Sequence, residues 1–457
     1  MKYLKVGFDE LAALAIIALA SLLRLILVSL NWPLTNSDEG TIGIMALHIA
    51  YRGEHPIFFY GQNYMGPLEA YLGAGLFHLF GASLFTLRLG MVFCFALFLA
   101  STYLLTSLLY SKKMALYVLI LLSLGSSVML AQQLLAIGGY PETLFFGSLI
   151  FLLASWLALS APSHSSPGRR VWRFIGYGCW GLVVGLAMWS DLIILPIVTM
   201  ASLLLVLFCW RELLKGAILS LLSGLALGMG PLIVYNMHAL PGQDSLTTLS
   251  QLRHTGHATL PQQISGTITV SLPTVTGNPF CLITDVGPPA PHTTLCDAAH
   301  LSWAIGAIGL WAIAVLLALI ALWKLRSLSR IDTSYQEKRR HLVQQFARLM
   351  LLASAGLTLL LYMLSPSSAW WSSIHSHYLI GLLVATPAII CPLWQVAASK
   401  LSLLGTNRAK VSTMLCRTVL CAIGLSLLIG TVTLLTGVPP VEARNQQENG
   451  LIDNLLR

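Results

Sequence analysis

Two adjacent carboxylates, Asp38 and Glu39, follow the first long apolar segment of a 457-residue chain in which only 9% of the residues are charged. A carboxylate at the edge of a membrane can act as a general base toward a hydroxyl group, or it can ligate a divalent cation. The same pair would also stabilise the start of a helix over Thr41–Arg52, because Ser37 is a good N-cap and acids favour the positive end of the helix dipole. The residues alone leave both interpretations open.

A second group of polar residues precedes a later apolar segment. Gln133 and Tyr140 lie close in sequence to Glu142, which we interpret as a second catalytic acid. Because a proline directly precedes Glu142, this residue could instead be an ordinary first-turn acid of a helix. Asp38, Glu39 and Glu142 could share a divalent metal ion, but nothing in the sequence requires a cofactor.

The composition places these acids in a membrane protein. Hydrophobic residues make up 56% of the chain and its mean hydropathy is +0.78, whereas a soluble globular protein has roughly 25% charged residues. A helix needs about 20 apolar residues to cross a hydrocarbon core of roughly 30 Å. Eleven segments meet this requirement and predict an all-α polytopic fold; they lie near 11–30, 84–109, 114–131, 143–160, 174–190, 192–210, 216–235, 301–323, 346–364, 377–397 and 412–435.

The distribution of charge predicts how the chain is oriented. Lys and Arg accumulate in cytoplasmic loops, and most of the 26 basic residues fall on one side if the N-terminus is cytoplasmic. We therefore expect a transmembrane domain over 1–436, with an outer loop at 31–83 that carries membrane-surface helices, an outer loop or lid at 236–300, and a short outer tail at 437–457. The net charge of +9 then faces anionic membrane lipids and is no sign of nucleic-acid binding.

Two further features concern packing and covalent linkage. Gly224 and Gly228, four residues apart, predict a close contact between two helices in the bilayer. Cys281 and Cys296 share the polar outer loop, where an oxidising compartment would allow a disulfide. The spacing of the two cysteines does not establish that their thiols meet.

The order of short motifs around the first two acids resembles a known family. Asp38-Glu39 is followed by an aromatic stretch ending in Gly66-Pro67-Leu68, then by Leu79-Phe80-Gly81 and Leu87-Arg88-Leu89. This pattern resembles the GT-C membrane glycosyltransferases, especially the family 39-like branch of protein mannosyltransferases and aminoarabinose transferases. The resemblance implies a GT-C-like fold and an enzyme that moves one sugar, a hexose or a pentose, from a polyprenyl-phosphate carrier to an acceptor.

The resemblance also implies partners and a location. The donor would be a polyprenyl-phosphate-linked sugar, and protein, lipid and polysaccharide acceptors all remain open. The enzyme would be an integral protein of the plasma membrane of a bacterium, with its N-terminus in the cytoplasm and its active site on the extracytoplasmic face.

Carried over to this chain, the first-loop aspartate of the family is Asp38. It would take the proton of the acceptor hydroxyl during attack on the anomeric carbon, and a single displacement would invert that carbon. Glu39 would act as a supporting acid or metal ligand, and Glu142 would assist. Further substrate contacts are expected from polar, aromatic and cationic residues near the outer surface: Arg24, Arg88, Tyr60, Gln62, Tyr64, Gln133, Tyr140, His375, His377 and Tyr378.

The leaving lipid phosphate calls for cationic donors. Arg24 and Arg88 are the candidates in the early helices, although each could instead extend its charge to the membrane surface. His377-Tyr378-Leu379 resembles an Arg-Tyr-Leu segment of the family, with His377 in place of the arginine. A histidine can still donate to phosphate and becomes charged near neutral pH.

A polytopic transporter or lipid flippase is the alternative function. That class commonly has internal repeats and interrupted helices near the middle of the membrane. The sequence shows no repeat, and its polar clusters lie in the predicted outer loops. These features favour the transferase.

Overall fold

A computed structural model describes residues 7–161, 167–254, 258–278, 294–327, 335–369, 373–398 and 407–437. These residues form eighteen α-helices and no strand. In chain order the helices are α1 Phe8–Ser29, α2 Ser37–Arg52, α3 Leu68–Phe80, α4 Leu84–Leu109, α5 Lys112–Ser123, α6 Ser127–Gln132, α7 Tyr140–Ser160, α8 Pro167–Ser190, α9 Leu195–Glu212, α10 Ile218–Gly228, α11 Gly230–His238, α12 Ser245–His254, α13 Leu260–Gly266, α14 Leu272–Val275, α15 Thr294–Ser327, α16 Tyr335–Met363, α17 Thr386–Ala398 and α18 Asn407–Gly437.

The predicted all-α polytopic membrane fold is confirmed. Among the described residues, nine helical segments are long and apolar enough to cross a membrane. Two differences in local geometry explain why eleven were expected. The predicted spans near 192–210 and 216–235 share one helical segment, Leu192–Gly228, which turns sharply where Gly216 has a φ of 101°. The span expected near 114–131 is divided into α5 and the short α6.

The interruption between α5 and α6 is stabilised by side chains. The Thr431 hydroxyl accepts from the Gly125 N–H at 3.0 Å and donates to the Gly125 carbonyl at 3.1 Å. Ser126 caps α6 by accepting from the Met129 N–H at 3.4 Å. A freed backbone group in a bilayer must find a partner within the protein. These contacts therefore allow the helix to stop inside the bundle, and the short α6 then leads to the polar pair Gln132-Gln133.

One end of the bundle is closed by donors from α16. Helix C-termini carry unpaired carbonyls and partial negative charge. Arg339 donates to the Ala158 carbonyl at 3.1 Å and Gln344 to the Leu108 carbonyl at 3.0 Å, at the C-terminal ends of α7 and α4. Arg348 donates to the Leu109 carbonyl beside them. This end holds the basic residues that the charge distribution assigned to the cytoplasm, and the sidedness itself stays a prediction.

The segment 258–278 differs from the expected surface loop or lid. Residues Thr267, Val270 and Ser271 are buried, and the helical path through α13 and α14 packs against α15. Several of its threonine hydroxyls donate to backbone carbonyls one helical turn earlier; Thr267, for example, donates to the Gln263 carbonyl at 2.8 Å. A polar, β-branched sequence can therefore be buried without unsatisfied hydroxyls. Cys296, at the start of α15, is disulfide-bonded, while Cys281 lies outside the described residues.

The predicted glycine contact is confirmed between α8 and α10. A Cβ atom on Gly224 would lie 2.0 Å from the Gly178 carbonyl oxygen, and one on Gly228 would lie 2.4 Å from that of Leu182. Gly185 of α8 approaches α10 in the same way, with the Leu225 carbonyl oxygen 2.4 Å from its added Cβ. Small residues on both helices thus permit direct backbone contact.

We expect Gly224→Ala to destabilise the protein by about 1–3 kcal/mol, because the methyl group would force the two backbones apart. Gly306→Ala in α15 is the matched control, since its added Cβ would meet no atom within 4 Å. Thermal unfolding of both purified variants in detergent measures the difference. Equal unfolding midpoints for the two variants would contradict the role assigned to the α8–α10 contact.

Candidate active site

The first turn of α2 directs the side chains of Asp38 and Glu39 to different sides of the helix. The helix begins at Ser37 rather than at Thr41, and the N-cap is Asn36, whose side-chain oxygen accepts from the Glu39 N–H at 2.9 Å. The expected Ser37 cap is therefore wrong, because Asn36 precedes the first turn in extended conformation. Consecutive helical residues point about 100° apart. Glu39 consequently faces the bundle and Asp38 faces the surface.

Glu39 forms a buried ion pair with Arg88. The Arg88 Nε donates to Glu39 Oε1 at 2.8 Å and its second terminal nitrogen donates to Oε2 at 2.6 Å, with both side chains fully buried. The Ala136 N–H also donates to Oε1, at 3.3 Å. Such bidentate pairing of arginine with a carboxylate is geometrically specific. Glu39 and Arg88 are thus engaged in holding α2 and the residues before α7 against α4.

Arg24 is likewise buried and does not extend to the membrane surface, and it pairs with no acid among the residues that the structure describes. One terminal nitrogen donates to Gln133 Oε1 at 2.5 Å, and the other to the Ser123 carbonyl at 3.3 Å. The guanidinium carbon lies 3.4 Å from the centre of the Phe95 ring. Arg24 therefore fastens α1 to both sides of the α5–α6 interruption.

Glu69 is a site residue that the sequence interpretation missed. It lies in the first turn of α3 and accepts from the N–H groups of Gly138 and Gly139, each at 2.9 Å. Burial raises the pKa of Glu69, although the two backbone donors oppose the shift. Like Glu69, the acid Glu142 is 1% exposed. Its two carboxyl oxygens have no hydrogen-bond donor among the described residues. The stretch that carried the family resemblance contained Glu69, but its partners lie 69 and 70 residues away.

A close backbone contact brings the first outer loop to the turn between α8 and α9. The Gly66 N–H donates to the carbonyls of Trp189 at 2.8 Å and Ser190 at 3.1 Å, and a Cβ on Gly66 would lie 2.4 Å from the Trp189 oxygen. The next residue, Asp191, accepts from the Ile193 N–H at 3.0 Å. Burial raises the pKa of Asp191 to about 7, and the Glu69 charge adds to the shift.

Aromatic side chains pack together next to Asp191, whose Cβ would lie 3.0 Å from a Cβ on Gly139. We call the region around Asp38, Tyr64, Asp191 and the rings of Tyr140, His377 and Tyr378 the cleft, and these three rings its aromatic wall. The distance between ring centres is 4.2 Å for Tyr140 and His377, 4.4 Å for His377 and Tyr378, and 6.0 Å for Tyr140 and Tyr378. Tyr64 lies within electrostatic reach of Tyr378, Asp191 and Asp38. Burial raises the pKa of Tyr64 to about 12, so its phenol remains a hydrogen-bond donor at neutral pH.

Asp38 is the most exposed of the described acids around this cleft. Its side chain is exposed and, within the described part of the chain, forms no ion pair or hydrogen bond. Its charge adds to the raised pKa of Tyr64, so the two side chains lie on the same side of the molecule. Partial desolvation raises the pKa of Asp38. A carboxylate that is open to substrate and more basic than usual suits proton abstraction.

Other predicted residues lie elsewhere or have other partners. Tyr60 donates to Glu54 at 2.7 Å and contacts His48 at 2.9 Å, on the outer side of α2. Gln62 is partly buried nearby, and the side chain of His375 lies outside the described residues. Gln132, beside the predicted Gln133, donates to Ser376 at 2.5 Å and ties α6 to the segment that carries His377.

The three predicted metal ligands do not converge. Glu39 is bound by Arg88, Glu142 is buried, and Asp38 is exposed. Within the described ranges no group of three His, Cys, Asp or Glu side chains is arranged to hold a metal ion. The residues present therefore do not fit the predicted metal site, and no catalytic step is derived through a metal.

An apolar cavity of about 810 Å³ lies beside the cleft, between α5, α15, α16, α17 and α18. Leu382 and Leu383 line it and continue the helical segment that carries Tyr378. Tyr362 connects the two regions, because its hydroxyl lies 2.8 Å from the Ser271 hydroxyl and its ring lies 6.4 Å from Tyr378.

We expect Glu39→Gln to lower the free energy of unfolding by about 3–5 kcal/mol, because it leaves a buried guanidinium uncompensated. Replacing both partners, Glu39→Met with Arg88→Met, should recover much of this loss, since an apolar pair needs no charge compensation. Chemical or thermal unfolding in detergent measures the stability of the wild type, of Glu39→Gln and of the double variant. The control is Glu10→Gln, which removes an exposed pair with Lys112 and should change stability little. A Glu39→Gln protein as stable as the control would contradict the assignment.

Asp191 should make stability depend on pH. Its raised pKa means that the folded chain holds a proton that the unfolded chain releases, so stability falls as pH rises from about 4 through about 7. Asp191→Asn keeps the cap oxygen and should flatten this part of the curve of unfolding midpoint against pH. Asp244→Asn is the matched control, because Asp244 also accepts from a backbone N–H but has a lowered pKa. An unchanged slope in Asp191→Asn would refute the assignment.

No protein-family model matches the chain, and no curated protein matches it by sequence. Several solved structures are similar to it. The oligosaccharyltransferase AglB of Archaeoglobus fulgidus, in complex with an inhibitory peptide and a dolichol-phosphate, is 13% identical with a TM-score of 0.46, covering 92% of this chain and 55% of that one. The oligosaccharyltransferase of the same archaeon in complex with Zn and sulfate is 13% identical with a TM-score of 0.49, covering 91% and 52%.

ArnT from Cupriavidus metallidurans bound to undecaprenyl phosphate is 12% identical with a TM-score of 0.43, covering 84% of this chain and 80% of that one. The chain thus spans a little over half of the length of the oligosaccharyltransferase structures. All of these TM-scores lie below 0.5, so the similarity carries no argument about substrate or activity. The functional interpretation depends on the cleft itself.

Proposed function

We propose that this protein is a lipid-linked-sugar glycosyltransferase. It moves a single sugar from a polyprenyl-phosphate donor to an acceptor hydroxyl, with Asp38 as the general base. The observation that carries the proposal is the separation of the two adjacent acids: Glu39 is buried against Arg88, while Asp38 is exposed and unpaired among the described residues.

The reaction needs one bond to form as another breaks. The acceptor oxygen attacks the anomeric carbon, Asp38 takes the hydroxyl proton, and the bond from that carbon to the phosphate oxygen breaks with its electron pair leaving on the phosphate. A single displacement inverts the anomeric carbon. A positioned base of this kind contributes roughly 10²–10⁴-fold to rate.

The apolar cavity supports a lipid carrier as the donor. Its lining is almost entirely hydrocarbon, with Trp303 and Trp311 from α15 and Leu359 from α16 among the larger side chains. Each buried methylene contributes about 0.8 kcal/mol to binding. A polyprenyl chain in the cavity would be held by its tail while its phosphate and sugar reach the residues around Tyr378.

The leaving phosphate requires hydrogen-bond donors near that point. Arg24 and Arg88 are engaged with protein partners, so we assign neither to the phosphate. His377 lies in the aromatic wall between Tyr140 and Tyr378 and is our candidate phosphate contact. The Tyr64 phenol is a candidate donor to the sugar. Glu142 is buried and would act through its neighbours.

The charge distribution supports an extracytoplasmic active site. The cleft lies at the end of the bundle opposite the α16 donors, and α16 begins at the end that carries the basic residues. With the N-terminus in the cytoplasm, acceptors on the outer face would reach Asp38 directly. The sugar and the acceptor, whether protein, lipid or polysaccharide, are outcomes for assay.

A lipid transporter or flippase is the second candidate function. The apolar cavity and the interrupted α5–α6 segment are features that this class also uses. A translocator, however, has no chemical step for an exposed carboxylate to catalyse. Movement of a polyprenyl lipid between leaflets without sugar transfer would favour this alternative.

We expect Asp38→Asn to lose roughly 10²–10⁴-fold in the rate of sugar transfer, because an amide cannot take the hydroxyl proton. The measurement is transfer of radiolabelled sugar from membrane polyprenyl-phosphate donors to membrane acceptors by purified protein. Gel-filtration profiles in detergent verify that the variant is folded.

Glu54→Gln is the matched control, since Glu54 is an exposed acid of the same outer loop that faces Tyr60 rather than the cleft. It should retain full transfer. Undiminished transfer by Asp38→Asn would reduce Asp38 to a first-turn helix acid. Absence of transfer by the wild-type protein with every donor would overturn the transferase proposal.

A further inference from the structure

We propose that Gln132 is a positioning residue for His377 and acts on it through the hydroxyl of Ser376. The side-chain nitrogen of Gln132 donates to Ser376 Oγ at 2.5 Å, and both side chains are buried. Ser376 directly precedes His377, the candidate phosphate contact. The position of the His377 ring is a property of the fold, whereas its effect on sugar transfer rests on the proposed function.

The helical geometry around Ser376 explains how this contact reaches the next residue. Ser373–Ala385 is a helical segment of the 3₁₀ type, in which neighbouring side chains project about 120° apart. A hydrogen bond at Ser376 therefore fixes the rotation of the segment about its own axis. The same rotation sets the direction of the His377 side chain, whose ring centre lies 4.2 Å from that of Tyr140.

The apolar contacts of this segment do not supply the same constraint. Leu382 and Leu383 of the segment line the apolar cavity, as does Met129 of α6. Contacts between hydrocarbon groups are non-directional, whereas a hydrogen bond requires an aligned donor and acceptor. Because an unpaired buried amide or hydroxyl is costly, the bond between Gln132 and Ser376 is retained. It supplies a directional constraint that hydrocarbon packing lacks.

The helix that carries Gln132 is itself held in place. Gln133, the next residue, accepts from Arg24 of α1 through its side-chain oxygen at 2.5 Å. On the other side of α6, the Thr431 hydroxyl of α18 forms one hydrogen bond with the N–H and one with the carbonyl of Gly125. Helix α6 is thus fastened to both α1 and α18, so Gln132 acts from a fixed position.

Chemical modification tests the position of the His377 ring without an activity assay. Wild type, Gln132→Met and Gln344→Met are treated with diethyl pyrocarbonate in detergent, and peptide mass spectrometry gives the modification rate of His377 relative to that of exposed His55. We expect Gln132→Met to change this ratio several-fold, because methionine keeps the side-chain length but cannot donate. Gln344→Met is the matched control, since it removes an amide donor to the Leu108 carbonyl at the opposite end of the bundle.

Transfer kinetics test the consequence for the proposed reaction. We expect Gln132→Met to lower kcat roughly 10–10²-fold with little change in the KM for the donor, because a misplaced group costs more in the transition state than in binding. Gln344→Met should transfer as wild type does. Ser376→Ala removes the other partner of the same bond, so adding it to Gln132→Met should have little further effect.

The outcomes separate this inference from the proposed function. A wild-type modification ratio in Gln132→Met would overturn the inference, as would an equal change in Gln344→Met or additive effects of Gln132→Met and Ser376→Ala. If Gln132→Met does not fold, Ser376→Ala decides by the same ratio. A changed ratio with unchanged kcat would support the positioning of His377 and refute its contact with phosphate. Absence of transfer by wild type would overturn the proposed function, while the ratio still decides whether Gln132 positions His377.

Discussion

The buried ion pair between Glu39 and Arg88 is the interaction on which the shape of the cleft depends. In a low-dielectric interior, two charges held in bidentate geometry interact strongly, and neither can be left alone without a large penalty. The pair joins α2 to α4, and Ala136 adds the segment that precedes α7. Because Glu39 must face Arg88, the helical rotation of one residue turns Asp38 toward the surface.

The membrane imposes a second requirement, since no water is available there to satisfy polar groups. Several helix ends in the described part of the bundle consequently have their own partners: Thr431 at Gly125, Arg24 at the Ser123 carbonyl, and the α16 donors at the C-termini of α7 and α4. The threonines of 258–278 bond to their own helix backbone for the same reason. These local solutions let polar segments approach the apolar cavity, so that the cavity and the polar cleft can lie side by side.

The cleft divides its acids by environment. Asp38 is exposed and its pKa is raised, Asp191 caps a turn and has its pKa raised to about 7 by burial, and Glu69 and Glu142 are buried. Chemically identical groups thus acquire different protonation and different uses, as environment rather than residue type sets the pKa. In the proposed reaction this division leaves one accessible base, with the remaining acids shaping the walls around it.

Composition and apolar runs were sufficient to predict a polytopic all-α membrane protein, and the Gly224–Gly228 spacing predicted a real helix contact. These properties are local: span length, mean polarity and residue size can be counted along the chain. Asp38 also emerged from the sequence as the leading catalytic candidate, which stays a prediction. By contrast, Arg88 looked like a phosphate ligand and Glu69 received no role, because their partners lie 49 and about 70 residues away in the chain.

The segment 258–278 was expected at the surface for a related reason, since a polar composition does not reveal that hydroxyls will bond to their own helix. Which acid is buried, which arginine is already paired and which polar segment enters the bundle are decided by contacts between distant residues. Burial and charge compensation are properties of the assembled tertiary structure, and only its packing determines them.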